Sequence, residues 1–509
     1  DPLLAQAAIC PKIPDNGHLV DLGGDVRANP KLSGTTHNVF GIQTGVVIGF
    51  FVKGGKGKGI HYVRRPEDEV ARDKLDWLAR NEPTELPWVQ ISPSKRGNWL
   101  DHVENEWGEL LPVASKKTKA AKVKGQERAI FKLFSLGVSS NRDEWAYDMS
   151  WNAIREKSAY FAKVYNTSVT DKSYPSPDEI TQGQRLPIKW SSELRRYAER
   201  QHLIDYGEFS LREALYRPFV RIPTRFAPLF THRPYQQDQI FPFSARDDNN
   251  YICFTDPSAQ KPWMALAGSH LPDLHLVGPA AGTVVLPMLR YPSADEGIDN
   301  ITDWALNKFT KRYGKRAGVT KDTIFTYAYA CLHDPVWRET YAINLRREFP
   351  RIPFQEDFAS WAKWGRQLMD LHIDYEKVEP WPINRTDTPD EKSRKAGVAL
   401  PLKLKAHPEE GRIEIDSETT LSGFPPRAWE YRLGNRSGLD WVLDQHKEKK
   451  VRDATVEAWL QDNPDYRYRF ADHKERVIDL LAYVARVSVE TLDTLEAMRA
   501  ASVVKSSQN

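Results

Sequence analysis

Five arginines are interleaved with five aromatic rings in SLREALYRPFVRIPTRFAPLFTHRPYQQ, residues 210–237. They are Arg212, Arg217, Arg221, Arg225 and Arg233, set among Tyr216, Phe219, Phe226, Phe230 and Tyr235, with Glu213 the single acid. A guanidinium fork matches phosphate oxygens and the guanine edge, and aromatic rings offer packing or stacking surface, so these residue types suit nucleic-acid contact. The same composition fits an arginine-rich surface over an ordinary core, and the sequence leaves both readings open. A second stretch, VSSNRDEW (138–145), crowds Ser139, Ser140, Asn141 and Arg142 into an expected turn. Asn141 and Arg142 there suit reading base edges, or capping the next element. A third, SKKTKAAKVKGQER (115–128), carries five lysines and one arginine against one glutamate. Lys116, Lys117 and Lys119 suit contact with a nucleic-acid backbone, and a solvated loop is the competing reading.

Other chemistries find little support. Cys10, Cys253 and Cys331 lie far apart, with no C-x-x-C pair, so neither a disulfide framework nor a zinc site is indicated. The thirteen histidines form no H-E-x-x-H spacing, which argues against a metal hydrolase. VDLGGD (20–25) has the look of a cofactor-binding glycine turn, but Pro30 and Gly34 disfavour the helix that such a turn must open. KGGKGKG (53–59) lacks the Ser or Thr of a phosphate loop and leads into the strand-like Ile60–Val63, so it reads as the basic tip of a hairpin. NPDY (463–466) follows a charged helical pattern and reads as a turn.

The elements that must position these residues change character along the chain. Residues 1 to about 110 alternate strand-like runs, at Leu19–Leu22, 45–52 and 60–63, with a helical stretch carrying Val70, Leu75 and Leu78. Residues 130–300 have the texture of irregular β structure. From 301 to 376 the pattern is helical. Thr302, Thr320 and Asp334-Pro335 are start signals, VWRETYAINLRREF is one helix stopped by Pro350, and Phe358, Trp361, Trp364, Leu368 and Leu371 form a core stripe. NRTDTPDEKSRKAG (384–397) reads as a linker, and a hairpin is expected around His407–Gly411. The 509 residues are 40% hydrophobic and 28% charged, with a net charge of +3 too small to argue alone for a polyanion partner. The absence of an apolar span or a signal peptide predicts a cytoplasmic protein. The first residue, Asp1, suggests a processed chain or a piece of a longer one.

Longer motifs carry a resemblance. DLGGDVRANPKLSGTTHNVFGIQTGVVIGFFV, FSLGVSSNRDEWAYD, ALYRPF, TIFTYAYACLHDPVWRETYAINLRREFPRIPF, GRQLMDLHIDYE and YRLGNRSGLDWVLDQH occur in that order. Together, from about residue 19 to 495, they resemble the C-terminal portion of type ISP restriction-modification enzymes. These are single-chain proteins of nuclease, helicase, adenine-N6 DNA methyltransferase and target-recognition domains. The resemblance implies an α+β fold: a Rossmann-like methyltransferase fragment at 1–114, a first recognition lobe at 115–300, a helical spacer at 301–380 and a second lobe at 381–509. It implies double-stranded DNA as partner, together with the upstream domains on the same chain or another, in a bacterial or archaeal cytoplasm. The family's cofactor glycine motif and N-P-P-Y lie upstream of the DLGG stretch. No catalytic, cofactor or metal residue is therefore expected here, and S-adenosylmethionine belongs to the complete enzyme. Phe40 takes the place of the aromatic that stacks on the flipped adenine, against the plainer reading of a buried core ring. Lys116, Lys117, Lys119, Asn141, Arg142, Arg217, Arg221 and Arg225 are the expected DNA contacts. A self-contained methyltransferase with a degenerate cofactor site, and an interaction scaffold in a defence complex, are the competing functions.

Overall fold

β-Branched and aromatic runs near the start of the chain build a small mixed sheet, as their alternation requires. A computed structural model describes residues 16–24, 35–52, 59–66, 69–91, 105–114, 128–182, 186–207, 210–233, 235–243, 249–257, 259, 261–278, 281–293 and 296–503. It divides into two compact units, Asp1–Gly108 and Glu109–Asn509, and the fold class is α+β.

In the first unit, β1 (Asn16–Gly23), β2 (Val46–Val52), β3 (Gly59–Arg64) and β4 (Val89–Ile91) form a sheet in the order β2-β1-β3-β4. β1 runs antiparallel to β2 and parallel to β3, so β2 and β3 lie on opposite sides of it. This corrects the hairpin expected across 37–65: Leu19 and Val20, apolar on both faces, place β1 between the two runs. The helix α1 (Ala71–Arg80) covers one sheet face, where Trp77 and Leu78 pack on Val20, Leu22 and Val63. Its buried side is not the expected one. Leu75 is 50% exposed and Lys74 is buried, because the Lys74 ammonium has a carbonyl to bond.

In the second unit, Leu211–Arg217 and Val220–Arg225 form an antiparallel hairpin. A four-stranded sheet runs Ala265–Gly268, Tyr251–Thr255, Thr283–Pro287, Ser135–Leu136. A second runs Asn384–Asp387, Thr419–Ser422, Arg412–Asp416, Leu402–His407. The helix α2 (Lys321–His333) starts where expected, with Thr320 Oγ1 accepting from Thr323 N at 3.1 Å. Asp357 caps α3 (Phe358–Ile373), whose Phe358, Trp361 and Leu368 are buried. The two helices touch backbone to backbone: a Cβ on Gly365 would lie 1.8 Å from Thr326 O, so only glycine fits. VWRETYAINLRREF is not continuous; it breaks at Tyr341 into Pro335–Thr340 and Ala342–Leu345. The expected linker at 384–397 is instead a strand, Asn384–Asp387, and a helix, Glu391–Ala396. Polar bonds hold both, from Arg385 to Glu475 and from Arg394 to Glu418. The hairpin around Gly411 forms as expected, and NPDY is a 3₁₀ turn.

Gly438–Gln445 (α4) and Lys474–Ala501 (α5) complete the unit. Phe219 and Phe230 share a single hydrophobic cluster with Tyr431, Trp441 and Leu481. The segments expected as separate lobes, 115–300 and 381–509, are therefore joined through one core. His372 on α3 ties it further: its ring nitrogens face Tyr329 Oη at 2.5 Å, Thr491 Oγ1 at 3.0 Å and Tyr431 Oη at 3.2 Å. Among the described residues no helix is long and apolar enough to cross a membrane.

Candidate nucleic-acid interface

The loop before β2 answers what Asn38 and Phe40 do locally. Lys74 Nζ donates to His37 O at 2.9 Å and Ala71 N to Thr36 O at 2.9 Å, so α1 holds the loop's first turn. Asn38 is buried and works in both directions. Its Nδ2 donates to Thr44 O at 2.7 Å and Gly24 O at 3.2 Å, while its Oδ1 accepts from Phe40 N at 3.0 Å and Ile42 N at 3.4 Å. A Cβ on Gly24 would meet His37 O at 2.7 Å, which explains the glycine at this crossing. The braced loop holds Phe40 out into solvent, 73% exposed, with Ile42 beside it at 48%. A core role for the Phe40 ring is thereby excluded. An exposed aromatic on a rigid loop is suited to stacking, and an extruded base must recover lost stacking from such a face.

Four of the five arginine and asparagine candidates in the second unit turn inward. Arg142 is buried, its Nη1 donating to Phe230 O at 2.6 Å and Leu229 O at 3.1 Å, with the guanidinium over the Phe161 ring. Burial lowers its pKa to about 10, which leaves it charged at neutral pH. Arg217 is buried against Asp273, at 2.7 Å, and lies over Tyr216. Arg221 pairs with Glu376 and donates from Nε to Tyr375 Oη at 3.1 Å. Arg225 is buried on Ser158 Oγ, Ser210 Oγ and the carbonyls of Tyr206 and Gly207. Arg142, Arg217, Arg221 and Arg225, expected at DNA, thus have their guanidinium groups bonded to other parts of the fold rather than turned to solvent. A guanidinium that suits phosphate oxygens suits carbonyl and carboxylate oxygens equally well, and only tertiary structure decides between them. Lys116, Lys117 and Lys119 lie outside the described residues.

Asn141 is different. It is exposed at the tip of its turn with φ +55°, a conformation asparagine tolerates better than most residues. The turn is built from beneath: Ser140 Oγ bonds Asp143, accepts from Arg142 N at 3.1 Å, and Arg142 grips the 229–230 backbone. Ser139 and Arg233 then bridge through paired backbone bonds of 3.2 and 2.9 Å. Arg142 therefore supports two adjoining loops whose exposed side chains are Asn141 and Arg233.

Sequence reasoning passed over a further basic group. In QHKEKKVR (445–452), Lys447, Lys449, Lys450 and Arg452 follow one another closely, a run easily taken for a solvated face. In the fold Lys447, Lys449 and Arg436 converge on Asp444 at 3.8, 3.7 and 2.8 Å. The loop is stitched to the Asn141 turn, since Arg452 N and Asp453 N donate to the Glu144 carboxylate at 3.0 and 2.8 Å and Trp145 Nε1 to Thr455 Oγ1 at 2.9 Å. The second unit thus presents amide, guanidinium and ammonium groups from neighbouring loops. Among the described residues no group of histidine, cysteine and carboxylate side chains could hold a metal ion.

Comparison with known proteins places this arrangement in context. Residues 129–480 match the model of the Type ISP C-terminal specificity domain. No curated protein matches the chain. Among solved structures, the DrdV–DNA complex superposes with a TM-score of 0.84 at 39% identity, over 96% of this chain and 48% of that one. A nuclease-deletion mutant of the Type ISP restriction-modification enzyme LlaGI, in complex with a DNA substrate mimic, gives 0.72 at 24% identity, over 95% of this chain and 43% of that one. The ATP-dependent Type ISP enzyme LlaBIII bound to DNA gives 0.76 at 22% identity, over 95% and 31%. The last two likenesses are of fold alone, and this chain spans less than half the length of each of the three.

Proposed function

This chain belongs to the Type ISP C-terminal specificity domain family, and from that premise we propose that it is the DNA target-recognition module of a Type ISP restriction-modification enzyme. Methyltransferase, helicase and nuclease domains, on the same polypeptide or on a partner, act at the duplex site it selects. The observation that carries this reading is the family match across 129–480. The exposed Asn141 and Arg233 on adjoining loops and the basic group at Asp444 support it physically, since phosphate contacts position a duplex and base-edge contacts specify it. We assign the first unit to the closing strands of a Rossmann-like methyltransferase sheet, with Phe40 stacking on a flipped adenine. S-adenosylmethionine is then a ligand of the complete enzyme rather than of this chain.

Fluorescence anisotropy with a labelled duplex tests the proposal. Three phosphate contacts give a log–log salt slope of about −2.7, a roughly 40-fold loss of affinity between about 50 and 200 mM salt. Absence of salt-sensitive duplex binding would favour an interaction scaffold instead. Calorimetry with S-adenosylmethionine should show no uptake by this chain, and saturable uptake would favour a self-contained methyltransferase.

A further inference from the structure

We propose that Arg436, Lys447 and Lys449, gathered on Asp444, form a built site for a backbone phosphate of duplex DNA. The inference rests on the reading of the chain as a DNA-recognition module and names one site by which it holds DNA. Charge counting comes first. Three cations lie within 4 Å of one carboxylate, which neutralises one of them and leaves a local excess of two positive charges. Such crowding of like charge works against folding, and a polyanion relieves it.

The site also has one rigid arm and two adaptable ones. Arg436 sits in the hairpin Arg432–Leu433 and Arg436–Ser437, its guanidinium 4.9 Å from the centre of the Trp441 ring. Trp441 is itself buried and fixed, its Nε1 donating to Leu433 O at 3.0 Å. Ser437 caps α4 directly behind, accepting from Asp440 N at 3.1 Å. The planar fork is thus oriented before any ligand arrives. The Lys447 and Lys449 side chains are about half exposed, at 48% and 54%, and can swing from the carboxylate to an incoming oxygen. Burial lowers the pKa of Lys449; Asp444 opposes that shift, and the charges of Arg217 and Arg436 add to it.

Position supplies the last argument. The 447–453 loop is bonded through Glu144 to the segment that carries Asn141. A phosphate held by Arg436, Lys447 and Lys449 would consequently anchor the duplex beside the exposed amide.

Lys447→Ala/Lys449→Ala tests the site, because both side chains are exposed enough to be removed without unfolding the chain. If each lysine neutralises one phosphate, the salt slope of duplex binding falls by about 1.8, equally for duplexes of different sequence. Asp444→Asn, which keeps an acceptor for Arg436 but frees the cations, should raise duplex affinity by about threefold, the worth of one exposed ion pair. An unchanged slope in the double variant, with the wild-type chain still binding duplex, overturns this site while leaving the recognition reading intact. A wild-type chain that binds no duplex overturns both.

Discussion

Replacing Arg142 separates a base-reading residue from a structural one. In the fold its guanidinium donates to the carbonyls of Phe230 and Leu229 and is nearly excluded from solvent. Arg142→Ala leaves both carbonyls without that donor and opens a cavity against Phe161. Charge-assisted bonds contribute about 1.5–3 kcal/mol each, so the loss is about 4 kcal/mol. At about 2 cal/mol/K per residue, the roughly 400 residues of the second unit unfold with an entropy of about 0.8 kcal/mol/K, and the midpoint should fall by about 5 °C. Differential scanning fluorimetry of the whole chain reads this. Arg142→Lys, which can keep one donor, should lie between the variant and the wild type. The affinity ratio between a specific and a scrambled duplex should change only as far as the Asn141 turn is loosened. A midpoint within about 1 °C of wild type, together with a collapsed specificity ratio, would refute the interior role and return Arg142 to the DNA surface.

Gly365→Ala drives a methyl group into Thr326 O and should cost about 3 kcal/mol, read as a lower melting midpoint or as insolubility. Phe40→Ala removes a solvent-exposed ring, so stability should change by less than about 0.5 kcal/mol, while, on the proposed reading of Phe40 as the stacking ring, adenine methylation by an enzyme that contains this chain should drop. A large loss of stability would mean that the ring packs against something. Burial, aided by the charge of Arg338, lowers the His372 pKa to about 3. The folded chain therefore keeps His372 neutral, whereas the unfolded chain takes up a proton below its ordinary pKa of about 6.5. The stabilisation is complete above that pH and is lost towards pH 3, with a slope of at most about 1.4 kcal/mol per pH unit. Urea midpoints at pH 7, 6 and 5 should fall less steeply for His372→Gln than for wild type, and parallel curves would contradict the assignment.

What could be read from the sequence was what is decided locally. Thr302, Thr320 and Asp334 cap helices within three residues of themselves, and the Phe358–Leu368 stripe follows from helical spacing, so both were visible before the fold. The inward turn of Arg142, Arg217, Arg221 and Arg225 was not, because their partners lie elsewhere in the chain: Phe230, Asp273, Glu376 and Ser158. The order β2-β1-β3 was hidden for a related reason, since strand runs close in sequence look like a hairpin whatever strand lies between them. The segment 384–397 looked like a linker because ion pairs to Glu418 and Glu475, rather than apolar periodicity, hold it. The turn that exposes Asn141 was legible, its chemistry being local. The cations at Asp444 needed the fold to bring Arg436 to a lysine run already in plain view.

The central claim is that this chain selects a DNA sequence, and selection from a pool of random duplexes tests it most directly. After several rounds at near-physiological salt, the account predicts enrichment of one short motif, weakened when Asn141 or Arg233 is replaced by alanine. Recovery of a pool indistinguishable from the input, with binding otherwise intact, would show a duplex-binding chain without sequence preference and contradict the account.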